Sequence, residues 1–216
     1  MLRGLCLNYH HTDPQEVGSR RFRALRNELK EHGIQLDILA RGEKRFQAED
    51  QVHTAGRFSP VSGALQFAAN LKQRVRGDAG SPAETGALQG VDSETLESEA
   101  HSADRSLRSL LLSIEMLPDP DAGWILPAVW RGLRLPRGYD FIVSTAPPWS
   151  SHMVAVRLGK WRHLPVILDD RDPWADSPGR MLLITHPLIR RWDSRLAART
   201  YRRAAAIVAV TEPAWR

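Results

Sequence analysis

The chain has 216 residues, 42% of them hydrophobic and 25% charged, which is ordinary for one globular domain with a sizeable core. No apolar run approaches the roughly 18 residues of a membrane span, and the first residues lack the pattern of a secretory signal. The single cysteine, Cys6, excludes an internal disulfide and fits a reducing compartment. We therefore expect a cytoplasmic protein with Cys6 in its core.

Charge is distributed unevenly along the chain. The net charge is +5, but residues 77–106 carry seven acidic side chains and one basic one, while both flanking segments are basic. Residues 77–106 also lack aromatic residues, so they cannot bury enough apolar surface to offset their ordering entropy. We predict that they form a disordered insertion within a single domain, residues 1–216. The basic remainder is compatible with phosphorylated ligands or anionic lipid, whereas no nucleic-acid motif accompanies the charge.

The first part of the chain predicts a βαβ unit. Residues 2–8 and 34–40 form two apolar runs, and the helix between them begins near Gly18. The apolar face of this helix carries Phe22, Leu25 and Leu29. Gly33 follows it and can adopt the left-handed conformation that closes a helix.

Later segments continue the alternation of strand and helix. The pattern predicts a strand at 51–55, helices at 61–76, 107–117, 123–135 and 187–203, and a last strand at 205–210. The inward residues of the long helix at 187–203 are predicted to be Ile189, Trp192, Leu196 and Thr200. Its opposite face carries Arg191, Arg195, Arg199 and Arg202. This face favours contact with solvent, although an anionic membrane surface is an alternative, for which residues 61–76 and 107–117 are also candidates.

The stretch 139–174 organises the domain. Two continuous apolar runs, 141–143 and 166–168, flank a helix that Ser150 or Ser151 can cap. The predicted apolar stripe of this helix consists of Val154, Leu158 and Trp161. Strands of this kind lie parallel in a sheet that is covered on both faces, so we predict an α/β, doubly wound, mostly parallel sheet.

Ligands of such sheets bind beyond the carboxyl ends of the strands. In this chain those ends carry Ser144 to Ser151 and Asp169 to Trp174, the densest polar chemistry of the sequence. Arg171 among three carboxylates suggests a salt bridge that fixes the loop, and a ligand site is an equal alternative. The spacing of Asp170 and Asp172 also fits a short D-x-D metal pattern.

These residues resemble a known family. The segments S-T-A-P-P-W-S-S-H at 144–152 and D-D-R-D-P-W at 169–174 are similar to the N-terminal, acceptor-side domain of bacterial family-4-like, B-type glycosyltransferases. The segment P-D-P-D-A-G-W at 118–124 and the glycine-to-helix turn at Gly18 and Ser19 add to the resemblance. It covers most of the chain outside residues 77–106 and implies a Rossmann-like domain.

The resemblance also implies roles for individual residues. It assigns the donor diphosphate to the helix start at Gly18 and Ser19, and it makes Asp172, Arg171 and Asp169 the catalytic candidates. The acceptor-binding candidates are Ser144, Thr145, Pro147, Trp149, His152 and Trp174. The B-type fold works without a metal, so we expect no metal ion and no cofactor beyond the nucleotide-sugar substrate.

The family reaction would be retaining glycosyl transfer onto a sugar or lipid-linked acceptor in cell-surface polysaccharide or glycoconjugate synthesis, at the inner face of the cell membrane. Such enzymes have a second, donor-binding domain, and we expect this chain to be the N-terminal portion only and inactive alone. The alternative is a standalone Rossmann-like binding or interaction domain without catalytic activity. A nicotinamide-dependent oxidoreductase is disfavoured because the first strand–helix turn lacks G-x-G-x-x-G.

Overall fold

The structure is a computed structural model. It describes residues 1–13, 15–42, 51–57, 113–114, 116–172, 174, 184 and 186–210. The predicted helix at 61–76, the predicted insertion at 77–106 and most of the predicted helix at 107–117 lie outside these ranges. Within them, every helix is too short or too polar to cross a bilayer.

The described elements alternate as the sequence predicts. The strands are β1 (Leu2–Leu7), β2 (Ile34–Arg41), β3 (Val52–Ala55), β4 (Phe141–Ala146), β5 (Val166–Asp170) and β6 (Ala206–Ala209). The helices are α1 (Val17–Glu31), α2 (Ile125–Leu133), α3 (Ser150–Arg162) and α4 (Pro187–Tyr201), and a 3-10 turn at Ala122–Trp124 leads into α2.

The six strands form one parallel sheet in the order β3-β2-β1-β4-β5-β6. The chain first builds outward from β1 to β3 and then crosses back to add β4 on the other side of β1. The predicted doubly wound, Rossmann-like α/β fold is therefore confirmed. Strand order reverses between β1 and β4, and such a switch point opens a crevice at the carboxyl edge of the sheet.

Helices cover both faces of the sheet. Phe22 of α1 packs with Cys6 and Leu36 on one face, while residues of α2, α3 and α4 share the larger core on the other face. Helices α2 and α3 approach closely because Gly132 faces Leu158, where an added Cβ would lie only 2.5 Å from the leucine side chain. The expected core position of Cys6 is confirmed, since its side chain is fully buried.

Gly33 closes α1 as expected. Its φ of +75° lies in the left-handed region that glycine adopts without steric cost. Leu25, predicted for the inward face of α1, is 38% exposed. The prediction that Trp161 belongs to the buried apolar stripe of α3 is wrong, because its side chain is 56% exposed. It lies in the last turn of α3, beyond the part of the helix that the sheet covers.

The inward face of α4 differs from the prediction at two of four positions, because Asp193 and Ala197 are buried where Trp192 and Leu196 were predicted. The structure buries Ile189, Asp193, Ala197 and Thr200, whereas Trp192 is 64% exposed. Helical periodicity alone predicts the large apolar Trp192 for the inward position that Asp193 occupies. Asp193 takes that position because its carboxylate accepts a hydrogen bond from Trp174 Nε1 at 3.0 Å. The arginines at 191, 195, 199 and 202 face solvent, as predicted.

Candidate functional site

The strand ends that carry the candidate residues lie side by side. Leu7 of β1 pairs with Ser144 of β4, and Ser144 pairs with Leu168 of β5. Thr145 is likewise in register with Asp169. Because all strands run in the same direction, the loops after β1, β4 and β5 leave from the same edge of the sheet. We call this the carboxyl edge.

The consecutive carboxylates Asp169 and Asp170 point to opposite faces of the sheet, since side chains alternate along a strand. Asp169 lies on the α1 face, where its Oδ1 is 3.1 Å from Nη2 of Arg21. Asp169 is buried, whereas the Arg21 side chain is 43% exposed. This ion pair joins the start of α1 to the end of β5.

Asp170 lies on the other face, in a buried polar chain. Ser144 Oγ and His152 Nδ1 are 2.6 Å apart, and His152 Nε2 is 3.8 Å from Asp170 Oδ1. The Tyr201 hydroxyl donates to Asp170 Oδ2. Ser144 and His152 have no exposed surface. These four residues, which we call the polar chain, connect β4, α3, β5 and α4.

The loop after β5 does not form the predicted salt bridge among the residues that the structure describes. Arg171 instead donates from Nε to the carbonyl of Ala146 at 3.0 Å and from Nη2 to that of Pro147 at 3.4 Å. Carbonyls at a strand end need donors, and Arg171 supplies them without engaging a carboxylate. The Asp172 side chain is exposed and makes no hydrogen bond to any described residue. Its carboxylate is therefore available at the carboxyl edge.

Two tryptophans pack against the loop after β5. The Trp149 and Trp174 rings stack with centroids 6.1 Å apart, and Trp149 Nε1 donates to the Asp172 carbonyl at 3.3 Å. Trp174 is 1% exposed and is bound to Asp193 of α4. This packing ties the end of β4 to the loop that carries Asp172.

The first turn of α1, which includes Gly18, begins one residue before the predicted Gly18–Ser19 start. It has no side-chain cap, and no acidic residue lies in it. The Ser19 hydroxyl is buried and donates to the His11 carbonyl at 3.0 Å, so it holds the loop after β1 and does not face solvent. The backbone N–H groups of this turn and the helix dipole favour an anion.

Asp119 is a residue near the site that the sequence did not single out for a role of its own. It is 2% exposed and accepts the Ser150 backbone N–H at 2.6 Å and the Asp121 N–H at 2.9 Å. Asp119 thus caps α3, and neither Ser150 nor Ser151 makes a side-chain cap as predicted. Burial raises the pKa of Asp119 to about 6, although its backbone hydrogen bonds act in the opposite direction. In the sequence, the P-D-P-D pattern at 118–121 contributes only to the family resemblance. A cap supplied from outside the helix leaves no local sequence pattern that would predict it.

The candidate acceptor residues divide into two groups. Pro147 and Trp149 are partly exposed at the carboxyl edge. The side chains of Ser144, His152 and Trp174 are at most 1% exposed, and that of Thr145 is 4% exposed. The buried group is positioned to support the loops, and only the partly exposed residues of this set can reach a ligand at the carboxyl edge.

One buried donor near the switch point has no partner among the described residues. Asn8 directly follows β1, is 2% exposed, and its side-chain Nδ2 meets no acceptor there. Leaving a buried amide unpaired costs free energy, and a ligand oxygen would relieve that cost. The sequence predicts Asn8 as the last residue of the first strand and assigns it no role in a site.

No three His, Cys, Asp or Glu side chains of the described ranges are grouped so that they could share a metal ion. In comparisons with known proteins, no protein-family model and no curated protein matches the chain.

Proposed function

We propose that the chain is the acceptor-side portion of a glycosyltransferase that moves a sugar from a nucleotide-sugar donor to an acceptor with retention of configuration. One arrangement carries the proposal. The start of α1, which has no side-chain cap, and the carboxylate of Asp172, which bonds to no described residue, lie at one edge of a doubly wound sheet whose strand order reverses there. The motifs that resemble family-4-like glycosyltransferases fall at that same edge.

Each group has a part in such a transfer. The first-turn N–H groups of α1, at Gly18 and Ser19, would bind the donor diphosphate, helped by the helix dipole. The Asp172 carboxylate would stabilise the positive charge that develops on the donor sugar. Arg171 and Asp169 would hold the geometry, through the carbonyls at the end of β4 and through Arg21 respectively.

The acceptor would lie against the partly exposed Pro147 and Trp149, since a tryptophan ring offers an apolar face to a sugar. Most of the nucleotide would be held by a second, donor-binding domain. The setting that we propose is cell-surface polysaccharide or glycoconjugate assembly in the cytoplasm, at the inner face of the membrane.

Binding of nucleotide sugars to this chain tests the location of the site. In an NMR titration with millimolar UDP-glucose or GDP-mannose we expect weak, salt-sensitive shifts confined to the first turn of α1 and the loops after β4 and β5, because one helix terminus gives only modest attraction. Shifts elsewhere, or none for any nucleotide sugar, would contradict the proposed site.

Transfer of radiolabelled sugar tests the reaction. The chain alone should transfer none, and the chain joined to a donor-binding domain should be active. In that joined protein Asp172→Ala should lower turnover by about a hundredfold, as expected for loss of one preorganised electrostatic group. Asp13→Ala, which removes another exposed carboxylate at the carboxyl edge, is the matched control. Equal turnover in the two variants would remove Asp172 from the mechanism.

A further inference from the structure

A cavity of about 490 Å³ opens at the opposite edge of the sheet, where the parallel strands begin. We call this the amino edge. The cavity walls come from the end of α2, the loop that leads into β4, the end of α3 and the turn into β5. Its volume lies within the range of roughly 300–1,000 Å³ that is usual for small-molecule sites. No residue of the proposed glycosyltransferase site lines it.

One side of the cavity is apolar. Leu133, Leu135 and Leu164 contribute to its wall, and the half-exposed Trp161 indole stands beside them. Tyr139 presents its ring, since its hydroxyl already donates to Asp37 at 2.7 Å. This exposed position of Trp161, which the apolar periodicity of α3 does not explain, gives the cavity a flat aromatic surface.

The other side of the cavity is cationic. Arg162 is held in place by hydrogen bonds to the carbonyls of Pro136 and Leu133 and lies with its guanidinium 5.7 Å from the centre of the Tyr139 ring. Arg137 also lines the cavity and makes no hydrogen bond or ion pair with any described residue. Burial lowers the pKa of Arg162, and the nearby charge of Arg137 acts in the same direction. Among the described residues that line the cavity, none is acidic.

The backbone adopts an uncommon conformation at one lining position. His163 has a φ of +56°, whereas the φ of +107° at Gly138 is one that glycine adopts readily. A positive φ is unusual for a residue other than glycine, and such positions concentrate at ligand sites. At His163 it ends α3 and turns the chain along the rim of the cavity, where the imidazole makes no contact with a described polar group.

We propose that this cavity binds a small amphipathic anion, with its carboxylate, sulfonate or phosphate group paired to Arg137 and its apolar part against Trp161 and the leucines. The anion would relieve the repulsion between Arg137 and Arg162. A bidentate guanidinium contact would orient it, and the indole would stack on or edge against an aromatic or alkyl group. The site is separate from the carboxyl edge, so its occupant is a second ligand and not the sugar donor or acceptor.

A fluorescent amphipathic anion, 8-anilinonaphthalene-1-sulfonate, serves as the probe on the whole chain. We expect saturable one-site binding that weakens about tenfold in Arg137→Gln and in Trp161→Ala, as for loss of a charge-assisted or aromatic contact. Trp192→Ala is the matched control, because Trp192 is similarly exposed but lies on α4, outside the cavity. The uncharged N-phenyl-1-naphthylamine should bind more weakly and should not respond to Arg137→Gln.

Two further arms identify the source of the anion. Displacement of the probe by octyl phosphate, without sedimentation of the protein on phosphatidylglycerol vesicles, would assign the site to a soluble amphiphile. Sedimentation that Arg137→Gln abolishes would assign it to a lipid headgroup. The proposal is overturned if Arg137→Gln and Trp161→Ala bind the probe as the wild type does, or if Trp192→Ala weakens binding as much as they do.

Discussion

The two edges of the sheet use their polar residues in opposite ways. At the carboxyl edge the polar chain of Ser144, His152, Asp170 and Tyr201 is buried and contains two hydrogen bonds, between Ser144 and His152 and between Tyr201 and Asp170. His152 Nε2 and Asp170 Oδ1 lie 3.8 Å apart and make no hydrogen bond. At the amino edge Arg137 faces an open cavity without a partner among the described residues. Buried hydrogen bonds between side chains fix geometry, whereas an exposed charge without a described partner can take a ligand. Substitutions in the polar chain should therefore alter stability, and substitution of Arg137 should alter binding.

The largest effect should come from the carboxylate that caps α3. Because burial raises the pKa of Asp119 from 3.8 to about 6, the folded protein retains a proton that the unfolded chain has already lost between these pH values. The stabilisation from Asp119 is therefore full below about pH 4 and is lost as the pH rises through about 6. Relative to Asp119→Asn, the wild type should lose on the order of 2–3 kcal/mol of unfolding free energy across this window.

Urea denaturation at a series of pH values measures this difference. Asp13→Asn is the matched control, because Asp13 also accepts a backbone N–H, from Gln15 at 2.9 Å, but is exposed. The difference in unfolding free energy between Asp13→Asn and the wild type should not change with pH across the same window. A flat difference for Asp119→Asn as well would show that the Asp119 carboxyl is not desolvated in solution.

The next largest effect should follow from interrupting the polar chain. His152→Phe keeps a ring of similar size but removes the partner of Ser144 Oγ and leaves Asp170 with Tyr201 alone. We expect a loss of about 2–3 kcal/mol in unfolding free energy, because buried polar groups are left unsatisfied. His32→Phe, at a 70% exposed side chain of the α1 C-terminus, should change it by less than about 0.5 kcal/mol. Equal thermal stability of the two variants would mean that the chain carries no structural role.

A smaller effect should come from the ion pair between α1 and β5. Arg21→Gln removes the partner of Asp169, and we expect a cost of about 1 kcal/mol at low salt, since the arginine is partly exposed and water screens it. The cost should shrink at high salt. Arg20→Gln, whose guanidinium reaches only the Gln15 carbonyl, is the neighbouring control. A cost that is the same at low and high salt would indicate lost packing and not a charge interaction.

The smallest effect on stability belongs to the amino edge. Arg137→Gln should change the unfolding free energy by no more than about 0.5 kcal/mol, because no described contact is lost. The same variant should lose affinity for the sulfonate probe. Large destabilisation by Arg137→Gln would end the contrast between the two edges, since it would show that Arg137 supports the fold.

The sequence predicts the order of the strands and helices but not which face of a helix points toward the core. Continuous apolar runs such as 141–143 and 166–168 identify buried parallel strands without reference to any other part of the chain. The inward face of α4 could not be derived in this way. The spacing of the pattern fits Trp192 and Asp193 almost equally well. The hydrogen bond from the indole of Trp174, a residue outside α4, decides in favour of the aspartate.

The candidate site was predictable in position and not in pairing. Strand ends of a doubly wound sheet locate the carboxyl edge, so residues 144–149 and 169–172 were found. Adjacency in sequence does not predict the contacts of Asp169 and Asp170. Side chains alternate along β5, so these two carboxylates contact different helices. Asp119, Arg21 and Tyr201 reach the site from other elements, and no spacing rule links them to it.

Arg57 joins the two ends of the segment between β3 and α2. This residue follows β3 and contacts the loop before α2, with Nη2 2.6 Å from the Pro120 carbonyl and Nη1 3.2 Å from Asp121 Oδ1. These contacts bring the end of β3 beside the loop that carries the capping carboxylate of Asp119. Each doubling of a loop's length costs only about 0.6 kcal/mol in closure entropy. A change in the number of residues between Arg57 and Pro120 should therefore cost little closure entropy, because the Arg57 contacts hold the two ends of that stretch together.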